Sequence, residues 1–585
     1  MDTGFSAYDN KPWLAAYGSS ISQILPPARH LNLGHLVHSA CQRFAEQTAF
    51  TCVLPNGMNG SLSYRQMADA SDAFAAYLRF DCKLKAGDRV AVQLPNGLAY
   101  PVVAFGVFKA GCVLVNTNPL YTASEMRHQF NDSGAKVLVI VDMFADKLAT
   151  VVPATHIENV VLVAVSEMFP AVPNLIVRGV QKVWSKVLPP IPALAVPVLR
   201  LAAALSAGTT SAKATPGVVE TYWRGIAASE VAALQYTGGT TGVSKAAMLT
   251  HANFLANIEQ VLAMGRSHMG SNECVLTALP LYHIFAFVAN LLCFVEIGAR
   301  NILVPNPRPV QNLQRAIENY PITWITGVNT LFNGLMNEEW FTAFPPKKLK
   351  AAIAGGTALH SAVAARWQHT TGTRIAEGFG LTECSPVVTF NPLSGVAKPD
   401  SIGIPVPGTS VRLVQDDGQP AAVGEPGELV VQGPQTMAGY WNRADETAIV
   451  FKDGWMYTGD VAVMDPQGYF RIVDRKKDLV LVSGFNVYPN EVEDALSKMD
   501  AILEAAVVGI PDPRSGEGVR AYVVKNPDFE GVLTAAAVIA HCKSLLTDYK
   551  IPKSVVFRAE LPKTPVGKIL RKDLKAEVKL EFAAR

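Results

Sequence analysis

Short, continuous runs of aliphatic residues constrain this chain more than any other feature. Arg89-Val-Ala-Val-Gln-Leu, Lys136-Val-Leu-Val-Ile-Val and Asn159-Val-Val-Leu-Val-Ala-Val are apolar at nearly every position, and stretches of helical spacing at 63–80 and 102–110 alternate with them. A strand that is apolar on both faces must be covered on both faces. The pattern therefore predicts an α/β fold of mostly parallel sheets flanked by helices. At 585 residues the chain exceeds a single core, so two or more domains are expected.

Between two apolar runs lies Tyr236-Thr-Gly-Gly-Thr-Thr-Gly-Val-Ser-Lys245. Its glycines allow tight turns with exposed N–H groups, its hydroxyls add neutral donors, and its lysine adds a point charge, a combination that suits phosphate oxygens. The stretch departs from the Walker loop, because Lys245 follows Ser244 and precedes Ala246. Taken alone it fits a plain turn equally well. Residues 232–236 read as a strand delivering the loop and residues 253–261 as the helix beyond it. That puts the loop at the C-terminal edge of a strand, where open α/β sheets bind ligands. A second strand, Leu349-Lys-Ala-Ala-Ile-Ala, ends in a second polar edge at Gly355, Gly356 and Thr357.

Net charge is +2 with 17% charged residues, so no electrostatic argument points to nucleic acid. The eight cysteines include no Cys-x-x-Cys pair, which argues against zinc ribbons and disulfide scaffolds and suits a reducing compartment. No secretory signal is read at the N-terminus, and a cytoplasmic location is expected. Residues 281–298 are the most apolar stretch, but His283, Asn290 and Glu296 interrupt it, so a buried helix is expected rather than a membrane span. Residues 169–208 read as a proline-rich insertion carrying a basic amphipathic helix with Arg178, Lys182 and Lys186 at every fourth position. Such a helix suits either an anionic membrane or docking on its own domain.

From Ser401 the chain turns β-rich, with Val411-Arg-Leu-Val and Glu428-Leu-Val-Val between Gly, Pro and Asp turns. The charged cluster Asp474-Arg475-Lys476-Lys477-Asp478 is read as a hinge. Beyond it lies a domain-sized α+β segment that opens on the Asn490-Glu-Val-Glu493 capping box. The expected architecture is a large N-terminal domain of mixed and parallel sheets with a β-rich subdomain (1–473), a hinge (474–478) and a small mobile α+β C-terminal domain (479–585). The chain closes on a lysine-presenting loop, Pro562-Lys-Thr-Pro-Val-Gly567-Lys568-Ile-Leu-Arg571-Lys572.

In this order the loop at 236–245, Gly378-Phe-Gly-Leu-Thr-Glu383, Tyr457-Thr-Gly-Asp460, Asp474-Arg475 and 562–572 resemble the motifs of the acyl-adenylate-forming superfamily of acyl-CoA synthetases and luciferases. The residues from Asp453 to Asp460 and from Val482 to Glu491 look like those of bacterial long-chain fatty-acyl-CoA synthetases. The resemblance implies ATP-dependent activation of a long-chain fatty acid through acyl-AMP, with coenzyme A as second substrate and Mg²⁺ on the phosphates. Fatty acyl-AMP ligases and medium-chain or aryl-CoA ligases share most of these motifs. A catalytically silent lipid- or nucleotide-binding relative would lack Lys568 or Glu383, and both are present.

By the same resemblance, Thr237, Gly238, Gly239, Thr240, Thr241, Gly242 and Lys245 hold the β and γ phosphates, Glu383 binds Mg²⁺, and Thr382 contacts the α-phosphate region. Asp460 accepts the ribose hydroxyls and Arg475 adds a ribose or phosphate contact. Phe379, between Gly378 and Gly380, stands where the family often has a tyrosine stacked on adenine. Gly356, Thr357 and Lys477 complete the nucleotide contacts. Lys568 reaches the carboxylate and α-phosphate during adenylation, His283 stands beside the acyl carboxylate, and Gly484 lines the pantetheine tunnel after the C-terminal domain has rotated. Ala246 replaces the usual glycine. Peripheral contact with the inner face of the cytoplasmic membrane and a homodimer remain open partners.

Overall fold

The computed structural model describes residues 5–17, 21–185, 187–237, 244–265, 267–394, 396–527, 529 and 531–583. A seven-stranded sheet runs in the order Val198–Arg200, Asn159–Val163, Val137–Val141, Arg89–Gln93, Val113–Asn116, Val231–Thr237, Lys245–Thr250. All its pairings are parallel except the last. Val137–Val141 is buried at every position, as a strand covered on both faces must be. A nine-stranded sheet is parallel from Thr48–Val53 to Ile375–Gly380 and ends in antiparallel strands at both edges.

An antiparallel sheet follows, built on Ser410–Val414, Gly427–Gln432, Trp455–Met464 and Phe470–Arg475. The small C-terminal domain has its own five strands, with Gly516–Lys525 at the centre. It packs apolar side chains on both faces of that sheet, around Val507 and Val523 on one and around Tyr522 and Leu574 on the other. This large-plus-small α/β architecture is the one the sequence predicts.

Four local features differ from the sequence reading or add to it. The helix expected at 253–261 is present as His251–Gly265, but a strand that the reading lacks, Lys245–Thr250, first returns antiparallel to Val231–Thr237. The capping box at Asn490 is not formed. The helix Pro489–Ser497 starts two residues earlier, with proline in its first turn, and Glu493 bonds Arg571 and the backbone N–H of Val507 instead. The expected insertion is partly integral, since Val198–Arg200 joins the sheet edge and the helix Leu201–Ala214 crosses Tyr64–Phe80 at Gly208. A Cβ there would sit 1.8 Å from the Ala73 carbonyl oxygen, so only glycine permits the crossing.

The fourth change concerns the basic helix. The helix Ala171–Gly179 runs into a π turn at Val180–Trp184, and it turns its arginine inward. Arg178 pairs at 3.2 Å with Asp142, which is buried and also holds Arg200. The outward face is apolar: Val172, Leu175, Ile176, Val180 and Val183 are exposed. Lys182 is exposed, and Lys186 lies outside the described residues. Burial explains the arrangement, because an arginine that can reach a buried carboxylate relieves an otherwise uncompensated charge.

Within 281–298 a buried helix forms as expected, running through Ile284–Ala286, a π segment at Phe287–Leu292 and Cys293–Glu296. Asn290 takes the Thr326 hydroxyl at 2.8 Å, and Glu296 pairs with His30 and Arg43, each at 2.9 Å. Among the described residues no helix is long and apolar enough to cross a membrane. All eight cysteines are buried and unpaired. Replacing Asp142 with alanine removes the anchor of both Arg178 and Arg200. We expect a loss of about 2 kcal/mol in urea unfolding, discounted because both arginines are partly exposed, and faster proteolysis within residues 180–192. Unchanged cleavage would show that the helix is held by other contacts.

Candidate functional site

Two strand ends and one turn build the floor of a cleft below the C-terminal domain. Ile375–Gly380 delivers Gly378, Phe379 and Gly380, and a single turn at Thr382–Cys384 follows it directly. A side chain at Gly380 would meet the Pro386 carbonyl at 2.2 Å, so the tight return of the chain requires glycine. Phe379 pairs with Thr389 and is half-buried, with part of its ring left accessible.

Glu383 accepts the Tyr440 hydroxyl at 2.7 Å on Oε1 and pairs with no cation among the described residues. The Tyr440 ring lies under the Lys245 ammonium, 4.2 Å from its centroid, and Lys245 pairs with Glu446 at 2.7 Å. Burial and the Glu383 carboxylate both hold the Tyr440 phenol far above its usual range, so it stays a donor. Lys245 and Thr237 face each other across the strand pair, the Thr237 hydroxyl donating to the Lys245 carbonyl at 3.3 Å. Gly238, Gly239, Thr240, Thr241 and Gly242, expected on the phosphates, lie outside the described residues.

Asp460 and Arg475 are cross-strand partners, and their side chains approach to 3.3 Å. Burial raises the Asp460 carboxyl above its ordinary value, against the opposing pull of Arg475, Lys568 and Lys477. Lys568 reaches into this group from the C-terminal domain. It is mostly covered where the two domains meet, and desolvation first, then the Arg475, Arg571 and Lys477 charges, lower its pKa from 10.5 to about 7. No ion pair to Lys568 forms among the described residues. His283 is close enough that Lys568 lowers its pKa further, to about 4, after burial has done most of the work. It is therefore neutral, and its Nδ1 accepts the Phe285 N–H at 3.3 Å.

Glu383, Asp460, Arg475, Lys477, His283 and Lys568 thus form one electrostatic group. Gly356, at φ +79°, and Thr357 lie on the neighbouring strand end, where the Thr357 hydroxyl oxygen is buried with no hydrogen-bond partner. Gly484 is not part of this group. It sits at the exposed tip of the hairpin made by Val480–Val482 and Phe485–Val487, beside exposed Leu481 and Phe485.

Sequence reasoning missed three features. Tyr440 and Glu446 lie in a stretch without periodicity or motif, so nothing local marks them. Glu377 precedes the recognised Gly378 motif; burial pushes its carboxyl up to about 8, and it accepts the Leu359 N–H at 3.2 Å. Arg571 binds Glu493 at 2.5 Å and approaches Asp474 at 3.6 Å, tying the C-terminal helix to the charged cluster. Its arginine was visible in the terminal loop, but its partners are long-range.

The arrangement offers a lone carboxylate, a lysine on a hairpin, a buried aspartate beside an arginine, and a desolvated ammonium. A single carboxylate that accepts one tyrosine hydroxyl and pairs with no cation among the described residues fits Mg²⁺, which takes few protein ligands and completes its shell with other oxygens. Among the described residues no cluster of three or more His, Cys, Asp and Glu side chains could hold a metal alone.

The chain matches the family described as AMP-binding enzyme over residues 37–441 and the AMP-binding enzyme C-terminal domain over residues 491–568. It is 45% identical to the long-chain-fatty-acid–CoA ligase of Yersinia pestis, over 97% of this chain and 98% of that one. Its fold matches that of an anthranilate CoA ligase in complex with anthranoyl-AMP at a TM-score of 0.82 and 22% identity, over 95% of this chain and 99% of that one. It also matches ATP-bound MatB from Rhodopseudomonas palustris at a TM-score of 0.75 and 26% identity, over 94% and 99%.

The depressed Lys568 has a measurable signature. Reductive ¹³C-methylation with NMR, assigned by the Lys568→Arg variant, is expected to find one lysine titrating near 7. Asp460→Asn removes a favourable charge and should lower that value further. Because the folded pKa lies below 10.5, the unfolded chain binds the extra proton between about 7 and 10.5, so this group makes stability rise with pH across that window. A value unmoved by Asp460→Asn would remove the electrostatic coupling.

Proposed function

The chain belongs to the AMP-binding enzyme family, and from that membership we propose that it is a long-chain fatty acid–CoA ligase acting through acyl-AMP, as the name of its Yersinia relative suggests. The observation that carries the reading is Lys568, brought by the C-terminal domain into the same cleft as Asp460, Arg475 and His283.

The chemistry explains why such a site is needed. A carboxylate is a poor electrophile, so its oxygen first attacks the α-phosphorus of ATP, and the bond to pyrophosphate breaks. Carboxylate and phosphate repel each other; the Lys568 ammonium, short of counter-charge, relieves that repulsion as they approach. Arg475 and Asp460 hold the ribose and α-phosphate end, and Lys245 exchanges its Glu446 partner for the β and γ phosphates. Mg²⁺ on Glu383, when bound, adds charge neutralisation on the leaving pyrophosphate. Neutral His283 borders the carboxylate without adding a cation. The thiol of coenzyme A then attacks the acyl carbon and AMP leaves.

The second step calls for a different approach to the same carbon. The domain boundary falls at 474–478, and the C-terminal domain turns about that segment to carry the Gly484 hairpin to the cleft. The exposed tip and its positive φ of +84° suit close passage of a thin pantetheine arm. The protein works at the cytoplasmic face of a membrane, touching lipid through the apolar side of 172–183 rather than through a basic one.

Lys568→Ala is expected to lower fatty-acid-dependent ATP–pyrophosphate exchange by 10²-fold or more, on the order of an oxyanion-type contact, while thioester formation from supplied acyl-AMP survives. Equal loss of both would sink the assigned role. Across a panel from acetate to oleate with aromatic acids, kcat/KM should peak at long chains; a peak among aromatic acids would favour an aryl-CoA ligase. Leu175→Glu with Val183→Glu should release the protein from anionic vesicles in flotation assays, whereas unchanged flotation would count against this face.

A further inference from the structure

The loop that carries Lys568 is a self-closed unit. The Thr564 N–H donates to the Lys568 carbonyl at 2.7 Å, the Lys568 N–H to the Thr564 hydroxyl at 3.1 Å, and the Gly567 N–H to the Thr564 carbonyl at 2.9 Å. Such a unit moves as one piece, so whatever seats its backbone also aims the lysine. Two N-terminal-domain side chains do this. Arg308 Nη2 donates to the Thr564 and Pro565 carbonyls at 3.3 and 3.0 Å, and the Thr330 hydroxyl donates to the Gly567 carbonyl at 3.2 Å. Gly567 sits at φ +92°, and a Cβ there would lie 2.7 Å from the Thr330 hydroxyl oxygen and 3.1 Å from Arg308 Nη2, so the approach is as close as the chain permits.

The receiving side is braced by its own hydrogen bonds. The Arg308 N–H binds the Asn306 side chain at 3.2 Å, and the Asn312 amide binds the Arg308 carbonyl at 2.9 Å. Thr330 stands on the helix Asn329–Met336, whose Gly334 lies against Val310. The same helix donates from Asn333 to the Leu503 carbonyl at 3.0 Å. The acceptors across the contact, on Thr564, Pro565, Gly567 and Leu503, are all backbone carbonyls of the C-terminal domain, so the seat reads the position of its chain and not the identity of its side chains.

We propose that Arg308 and Thr330 are positioning residues for acyl-adenylate formation, a seat that aims Lys568 and is left empty when coenzyme A reacts. This rests on the proposed two-step function. Arg308 exchanges water for carbonyl partners at the rim, where a charged donor keeps its strength over varied geometry. Thr330 sets the peptide immediately before the lysine.

The test separates the half-reactions. Arg308→Gln and Thr330→Val should each lower fatty-acid-dependent ATP–pyrophosphate exchange about tenfold, the size of one lost hydrogen bond with a charged donor or beside a mispositioned group. Thioester formation from supplied oleoyl-AMP and coenzyme A should be unchanged or faster, and Arg308→Lys should recover part of the exchange. Unchanged exchange, or equal loss in both half-reactions, overturns the proposal. Absence of fatty-acid-dependent exchange in the wild-type enzyme overturns instead the reading on which it rests, so the two failures are distinguishable.

Discussion

An ammonium placed at the contact of two domains, without an ion-pair partner among the described residues, is the constraint around which this protein is arranged. Desolvation and three neighbouring cations disfavour the charged Lys568, and Asp460 alone among its main influences supports it. A site in that condition gains from any anion that enters, because the anion restores what burial removed. The energy is stored in the arrangement before the reaction begins. In the proposed adenylation it needs no reorganisation at the moment when carboxylate and phosphate meet.

That arrangement exists only while two domains touch, and the contacts that hold them are modest. Ser361 donates to Asp494, Asn333 to the Leu503 carbonyl, and Arg308 and Thr330 to the terminal loop. All are polar, and the apolar cores of the C-terminal domain are its own. A polar interface of this kind can part without exposing a large apolar surface, which is the default expectation for domains that move. The strong tie, Arg571 with Glu493 and Asp474, lies at the charged cluster 474–478, where Asp474 is buried and its carboxyl is pushed up to about 6.

The parallel sheets were legible in the sequence because a strand covered on both faces has to be apolar throughout, and Val137–Val141 obeys that rule residue by residue. The ordered motifs around Gly378, Asp460 and Lys568 were legible because each concentrates unusual residue types in a short span. Long-range pairing was not. Tyr440 beneath Lys245, Glu446 beside it and Arg308 against the terminal loop are contacts between residues whose local sequence carries no periodicity. The direction of the 171–184 helix also failed to show: spacing placed Arg178 with two lysines on one face, whereas buried Asp142, distant in sequence, drew the arginine inward.

The return strand after the Gly/Thr loop has a consequence for how the reaction is emptied. In a loop that opens directly into a helix, the oriented peptides behind the phosphates keep attracting them after the chemistry is finished. Here Lys245 begins an antiparallel strand, and the helix starts only at His251. The lysine at the hairpin base already has a carboxylate waiting in Glu446 and an aromatic face in Tyr440. In the proposed role on the β and γ phosphates, a cation with such a resting place has somewhere to return, so the geometry that would grip a leaving group also provides for its departure.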